Sequence, residues 1–154
     1  MSNQKLQVSR AANVIPSDDV NIPFPNPAIA GANSSVSAFK LIDATVDFFA
    51  LGVKPGDTVL NVSTGKYCLV EKIDNANRLS VSLDIFVATP NSYAIYQGVN
   101  EGCVLYVGGA GDIVVTTAGG DTVTFFQVNA GQFLPVQAVR VGTDTTATKI
   151  LALW

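Results

Sequence analysis

The chain has 154 residues and a mass of 16.1 kDa, enough for one ordinary domain or two very small ones. Hydrophobic residues make up 48% of the chain and charged residues only 14%, so little charge is available to keep an isolated surface soluble. The net charge of −3 disfavours a nucleic-acid binder with a basic face. Histidine, the commonest general base and transition-metal ligand, is absent. We therefore expect no enzyme and neither a metal nor a cofactor site.

Residues 1 to 27 predict an extended N-terminal arm. Four prolines force non-helical backbone at and before each ring, namely Pro16, Pro23, Pro25 and Pro27. Apolar residues stand between the polar ones and favour docking of the arm against a neighbouring surface. The candidate interface residues of the arm are Ile15, Val20, Ile22 and Phe24. Because Met1 to Gln7 contains no apolar signal-peptide core, we expect the protein to be made in a cytoplasm.

Residues 28 to 97 predict short strands separated by turns. Asp43 is placed to cap a short helix that ends at Leu51, with Gly52 as its left-handed stop. The residues that would share one face of this helix are Val46, Phe49 and Ala50. The predicted strands are residues 58–62, 66–74, 78–83 and 93–97, the first two forming a hairpin. This pattern is compatible with a small barrel of the SH3 or OB type.

Residues 98 to 154 predict an almost pure β structure. The predicted strands are residues 103–107, 112–117, 121–128, 133–141 and 147–153. Gly-rich connections supply the positive φ angles of tight turns, and the run from Gly108 to Gly111 predicts a hairpin. A dinucleotide loop is excluded there because Val114 stands where that motif needs glycine. The regular turn spacing indicates a β-sandwich or jelly-roll-like sheet.

The remaining reactive side chains have structural explanations. Cys68 and Cys103 lack metal or redox spacing and are interpreted as small half-buried hydrophobes. The pair Asp18 and Asp19 is interpreted as a solvated turn. Three further aspartates stand beside glycine at strand starts, where the side chain satisfies turn amides: Asp57, Asp112 and Asp121. These patterns therefore predict no catalytic residues.

Trp154 is the last candidate interface residue. It is the only tryptophan, and a side chain of this size is expected to be buried. Two positions remain open on the sequence, a cap on the protein's own core and a contact with a neighbour.

Residues in both halves of the chain resemble tailed-phage virion proteins. The C-terminal set resembles head spike base proteins of phages and gene-transfer particles and comprises Leu105 to Ile113, Thr122 to Phe125, Gly131, Leu134 to Val136, Thr145 to Ala147 and Ile150 to Trp154. In those proteins a segment like Pro16 to Pro23 shortly precedes the Leu-Tyr-Val-Gly strand. The resemblance implies that residues 28 to 97, which intervene here, are an inserted domain. Parts of the insertion are similar to a β-module of phage structural proteins, namely Leu41 to Asp43, Phe48, Gly52 to Val59, Leu79 to Val81 and Tyr93 to Tyr96.

The predicted fold is all-β. A discontinuous, jelly-roll-like β-sandwich is built from the arm, residues 1–27, and from residues 98–154, and residues 28–97 form the inserted SH3-like or OB-like barrel. The resemblance implies a virion structural protein, made in the host bacterial cytoplasm, that acts as a capsid decoration, cement or head spike base subunit. The implied partners are copies of itself, the major capsid protein or other virion proteins, with neither nucleic acid nor membrane.

Two alternatives stay open. The first is a structural component of the neck, tail or tail fibre, where the inserted module also occurs. The second is a receptor-binding or carbohydrate-binding module that uses exposed aromatic side chains. Its candidate platform residues are Tyr67, Tyr93, Tyr96 and Tyr106. Strand alternation places some of these inward, which favours tyrosines in the core over a sugar platform.

Overall fold

The computed structural model describes residues 8–26 and 29–154, and within these ranges the chain contains strands and turns but no helix. The strands are β1 (Ala11–Asn13), β2 (Ile29–Ala32), β3 (Lys40–Ile42), β4 (Thr58–Asn61), β5 (Lys66–Asn75), β6 (Arg78–Val81), β7 (Ser92–Tyr96), β8 (Cys103–Gly109), β9 (Gly111–Thr117), β10 (Thr122–Val128), β11 (Gln132–Val141) and β12 (Thr148–Leu153). They form two six-stranded antiparallel sheets. The prediction of an all-β fold, a sandwich with a barrel-like part, is confirmed.

The chain divides into two compact units, each with its own sheet and its own core. The first unit comprises the chain up to Ile22 together with Asn100–Trp154, and its strand order is β1-β12-β8-β11-β9-β10. The second unit is Pro23–Val99, with the order β2-β7-β4-β5-β6-β3. The units thus divide after Ile22 and after Val99, whereas the predicted boundaries follow residues 27 and 97.

The core of the first unit lies on one face of its sheet. Strand alternation turns every second side chain of β8 and β12 inward, as with Leu105, Val107 and Ile150. Ile22 belongs to the same core, and its amide donates to the carbonyl of Val139 at 2.8 Å. The buried members of this cluster are Ile22, Cys103, Leu105, Val107, Ile113, Val115, Val128, Leu134, Ala138, Val141, Ala147, Ile150 and Ala152.

The glycine run between β8 and β9 is not the predicted hairpin. The two strands are not neighbours, because β11 lies between them in the sheet. The glycines instead allow a close approach to the start of β12. A Cβ atom at Gly108 would lie 2.7 Å from Cβ and 2.8 Å from the carbonyl oxygen of Lys149. Gly109 and Gly111 meet Thr148 and Ala147 in the same way, so the run leaves room for a neighbouring backbone.

The second unit is built around the predicted hairpin of β4 and β5, which is confirmed. The Gly65 amide donates to the Asn61 carbonyl at 2.8 Å, and Gly65 has the positive φ of 68° that this turn needs. Strand β6 ends at Val81, so Leu83 is exposed rather than part of the predicted buried face. The buried cluster is Leu41, Phe48, Val53, Val59, Cys68, Val70, Leu79, Val81, Ile85, Phe86, Tyr93 and Ile95.

The helix predicted from Asp43 to Leu51 is wrong. The segment forms successive turns, and the side chain of Asp47 accepts hydrogen bonds from amides of the last turn. The Oδ1 atom of Asp47 accepts hydrogen bonds from the amides of Phe49 and Ala50 at 2.9 and 3.1 Å. Phe48 is the buried aromatic residue, whereas Phe49 is 57% exposed. The Phe48 amide donates to the distant Ala76 carbonyl at 2.7 Å, so the hydrogen bond that a helix would make to the residue four positions earlier is not formed.

We expect Gly108→Ala to lower the free energy of unfolding by about 1–3 kcal/mol, because the new methyl group must displace the backbone of β12. The matched control is Gly119→Ala, where the nearest atoms would lie 3.8 Å from the added methyl carbon and little should change. Urea unfolding followed by circular dichroism measures both. Equal losses in the two variants would contradict the close-approach explanation.

We also expect the fragment Pro23–Val99 to fold alone. Its core contains no residue of the first unit, and an isolated antiparallel bridge between Phe24 and Gly98 joins its two ends. The measurement is urea unfolding of the fragment. A sigmoidal transition is the expected result, and a broad transition with strong binding of a hydrophobic dye would refute independent folding.

Candidate assembly surface

The cysteines and several aspartates of the chain are buried or take part in structural hydrogen bonds. Within residues 8–26 and 29–154, no group of three or more His, Cys, Asp or Glu could hold a metal ion. Cys68 and Cys103 are buried and unpaired with each other. Burial raises the pKa of the Cys68 thiol to about 12 and that of Cys103 to about 11, so both are protonated at neutral pH. A protonated, buried thiol is a poor nucleophile and a poor metal ligand.

Three of the aspartates considered in the sequence accept hydrogen bonds from backbone amides, namely Asp18, Asp57 and Asp112. The Oδ2 atom of Asp57 accepts from the Lys54 amide at 2.8 Å, which confirms its predicted role in the turn. Asp18 accepts hydrogen bonds from the hydroxyl and the amide of Thr143, and these bonds lower the pKa of Asp18. Asp112 reaches an amide in β10 rather than one in its own turn. Asp57 therefore stabilises its own turn, whereas Asp18 and Asp112 each tie one segment of the first unit to another.

Asp43 is the most buried carboxylate described, with 1% of its surface exposed. Its Oδ2 atom accepts from the Tyr93 hydroxyl at 2.8 Å, and its Oδ1 atom accepts from the hydroxyl and the amide of Thr45 at 2.6 and 2.9 Å. Burial alone would raise the pKa of Asp43, but these hydrogen bonds outweigh it and lower the pKa. A Cβ atom at Gly31 would lie 2.7 Å from the Tyr93 hydroxyl oxygen, so this cluster is closely packed.

The predicted interface residues of the arm divide into buried and half-buried ones. Val20 and Ile22 are 2% and 1% exposed, so these two candidate interface residues are buried within the chain itself. The Ile22 amide donates to the Val139 carbonyl in β11, and the Ile22 side chain belongs to the core cluster of the first unit. Ile15 and Phe24 are half-buried, and Phe24 forms its bridge with Gly98.

Trp154 lies at the end of β12 and caps the core of the first unit. Its indole N–H donates to Oδ1 of Asn100 at 3.2 Å, and its ring packs against the buried cluster. Its amide donates to the Arg10 carbonyl at 2.9 Å, and its carbonyl accepts from the Arg10 amide at 3.1 Å. Of the two positions left open by the sequence, the side chain therefore takes the cap, although it remains half-buried.

The sheet of the first unit also has an apolar face opposite its core. Three neighbouring strands, β12, β8 and β11, turn their alternate residues away from the core cluster. We call these side chains the outer patch; its members are Val104, Tyr106, Phe133, Leu151 and Leu153. Register places them side by side, because Tyr106 stands opposite both Leu151 and Phe133, and Val104 stands opposite Leu153.

The five members of the outer patch are contiguous, uncharged and partly open to solvent, and the exposed Lys149 precedes Leu151 in the same strand. The rings of Tyr106 and Phe133 lie 5.2 Å apart at an angle of 59°, a favourable aromatic geometry. Phe133 is 50% exposed, and the other four members are half-buried. Beyond Leu151 and Leu153, the next strand contributes Asn13 and Ala11 rather than charged residues. Apolar surface of this kind is characteristic of protein contacts.

Sequence reasoning missed the outer patch, although a signal was present. Residues 103–107, Cys-Val-Leu-Tyr-Val, and residues 150–153, Ile-Leu-Ala-Leu, are unbroken apolar runs rather than alternating ones. An unbroken run is typical of a strand that is covered on both faces. Because β8 and β12 have only one face on the core, the other face is the remaining apolar surface.

Comparison of the chain with protein-family models, with curated proteins and with solved structures finds no match. No helix in the described part of the chain is long and apolar enough to cross a bilayer.

We expect Tyr93→Phe to lower the free energy of unfolding by about 1.5–3 kcal/mol at pH 7, because a buried carboxylate loses a hydrogen bond. Asp43 has a lowered pKa in the folded protein. Its contribution to the free energy of unfolding is therefore fully present above the ordinary Asp pKa of about 3.9, and it is lost as the pH falls through the pKa of the folded protein. The difference in the free energy of unfolding between the variant and the parent should therefore become smaller at low pH. Tyr96→Phe, half-buried in the same strand, is the control. A difference independent of pH would contradict the role of Asp43.

Proposed function

We propose that this chain is a structural protein of a bacteriophage virion, a capsid decoration, cement or head spike base subunit. The observation that carries the proposal is the outer patch, an uncharged apolar surface across three neighbouring strands. A virion subunit functions while packed against other subunits, so such a surface is covered in the particle. The resemblance of residues such as Leu105 to Ile113 to phage head spike base proteins supports this kind of particle.

The energetic argument rests on the exposed part of the outer patch. Phe133 is 50% exposed, and covering the rest of its side chain would contribute about 2 kcal/mol. The four half-buried neighbours add further area around it. With only 14% charged residues, the chain has few groups that would oppose such a contact by desolvation. We infer that the outer patch packs on other subunits of the particle, copies of this chain included.

The carbohydrate-binding alternative has less support. Tyr67 and Tyr93 are buried and Tyr96 is half-buried, whereas Tyr106 lies beside Phe133 and forms an aromatic pair with it. Sugar recognition also needs convergent polar groups, whereas the cross-strand neighbour of Tyr106 on the other side is Leu151. A position in the neck, tail or tail fibre would use the same apolar surface and differs from a shell position in copy number.

The test is incorporation into particles. In a bacterial strain that produces particles from a genome with this gene, we expect Phe133→Lys to reduce the amount of the chain recovered with purified particles by about tenfold or more. The matched control is Val62→Lys, a change at a 54% exposed valine of the second unit, which should leave incorporation unchanged. Circular dichroism checks that both variants are folded.

Quantitative mass spectrometry of the particles separates the alternatives. Tens to hundreds of copies support a shell component, and a handful supports a neck or tail component. Particles that contain no copy of the chain would refute the proposal. Binding of the purified protein to a glycan array would instead favour the carbohydrate-binding module.

A further inference from the structure

Strand β10 forms one edge of the first unit's sheet. Among the described strands it pairs only with β9, and most of its side chains are exposed. Val123 is 43% exposed and Phe126 is 74% exposed. An edge strand presents unpaired N–H and C=O groups, which can pair with a strand of another molecule.

The register identifies which backbone groups of β10 face outward. The Thr117 amide donates to the Asp121 carbonyl at 2.8 Å, so these two residues form a hydrogen-bonded pair. Hydrogen-bonded pairs recur at every second residue of an antiparallel ladder. The backbone groups of Val123 and Phe125 therefore face β9, and those of Thr122 and Thr124 face the open edge.

A bulge limits the length of this open edge. Gln127 has a φ of 53°, and its amide donates to Oδ1 of Asp112 at 2.8 Å. The register of β10 against β9 shifts between Phe125 and Val128. A bulge of this kind ends regular pairing. The part of the edge that can accept a new strand is therefore Thr122 to Phe126.

The chemistry of this segment favours a second copy of the same strand. Thr122 to Phe126 contains neither a charge nor a proline, the two devices that commonly block edge pairing. Because the segment is uncharged, antiparallel pairing with itself brings no like charges together. The other edge of the sheet, β1, has only three residues, Ala11–Asn13, and offers a shorter ladder than β10 does.

We propose that β10 pairs antiparallel with β10 of a second copy, centred on Thr124, and joins the two sheets across a twofold axis. In this register Val123 stands opposite the partner's Phe125, and Thr122 stands opposite the partner's Phe126. The inference goes beyond the proposed function, because it concerns the purified chain whatever particle contains it. An interface of this size is small, so we expect a reversible dimer rather than a permanent one.

The test uses the full chain with Phe133→Lys, so that the outer patch contributes nothing to association. Light scattering at concentrations from about 1 to about 100 µM should show a shift from monomer to dimer. Adding Thr124→Lys, or separately Thr124→Glu, should weaken the dimer by about tenfold or more, because like charges then meet at the axis. Mixing these two variants should restore the dimer. Val62→Lys, added in place of the Thr124 changes, is the charge control and should leave the dimer intact.

Amide hydrogen exchange provides a second measurement. Dimer formation should slow exchange at Thr122 and Thr124, whereas the Val123 and Phe125 amides, already bonded to β9, should be slow at every concentration. A protein that is monomeric throughout this range would overturn the proposal, as would a Thr124→Lys dimer as strong as its parent or a mixture that stays monomeric. None of these results bears on incorporation into particles, so failure of the proposed function would be seen separately.

Discussion

Successive side chains of a β-strand point to opposite faces of the sheet, and in β8 and β12 both faces are apolar. Only one of these faces has a core to cover it. The inner side chains, such as Leu105 and Ile150, are buried by the first unit itself, whereas Tyr106 and Leu151 on the other face are half-buried. The edge strand β10 is also mostly exposed, and its segment Thr122 to Phe126 carries no charge. The first unit therefore combines a complete core with surfaces that gain stability when covered.

The second unit relies on buried polar side chains that find partners inside the unit. The Asn61 Nδ2 group donates to the Ile85 carbonyl at 2.7 Å and to Oδ1 of Asn91 at 3.2 Å. These bonds fasten the connection between β6 and β7 to β4. Asp43 and Tyr93 link two other segments in the same manner. Such bonds add little net stability each, but losing one partner leaves a buried polar group unpaired, which makes this unit sensitive to single substitutions.

Much of the strand pattern could be predicted from local sequence. From residue 103 onward every predicted strand is present with small shifts of its ends, because apolar residues and glycine-rich turns alternate regularly. The role of Gly108 could not be predicted, since glycine serves both positive φ angles and close backbone approach. The predicted helix after Asp43 is absent because the Phe48 amide donates to the Ala76 carbonyl, a long-range contact that local sequence does not specify. The outer patch had a local signal in its unbroken apolar runs, whereas the open edge at β10 depends on strand order, which no local pattern specifies.

The two buried thiols have a consequence for the redox chemistry of the folded chain. Cys68 and Cys103 are enclosed in different cores, and burial keeps both protonated at neutral pH. Oxidants and disulfide exchange act on exposed thiolates. While the chain is folded, its thiols are therefore protected from forming crosslinks between molecules. Its covalent structure therefore stays the same whether its surroundings are reducing or oxidising.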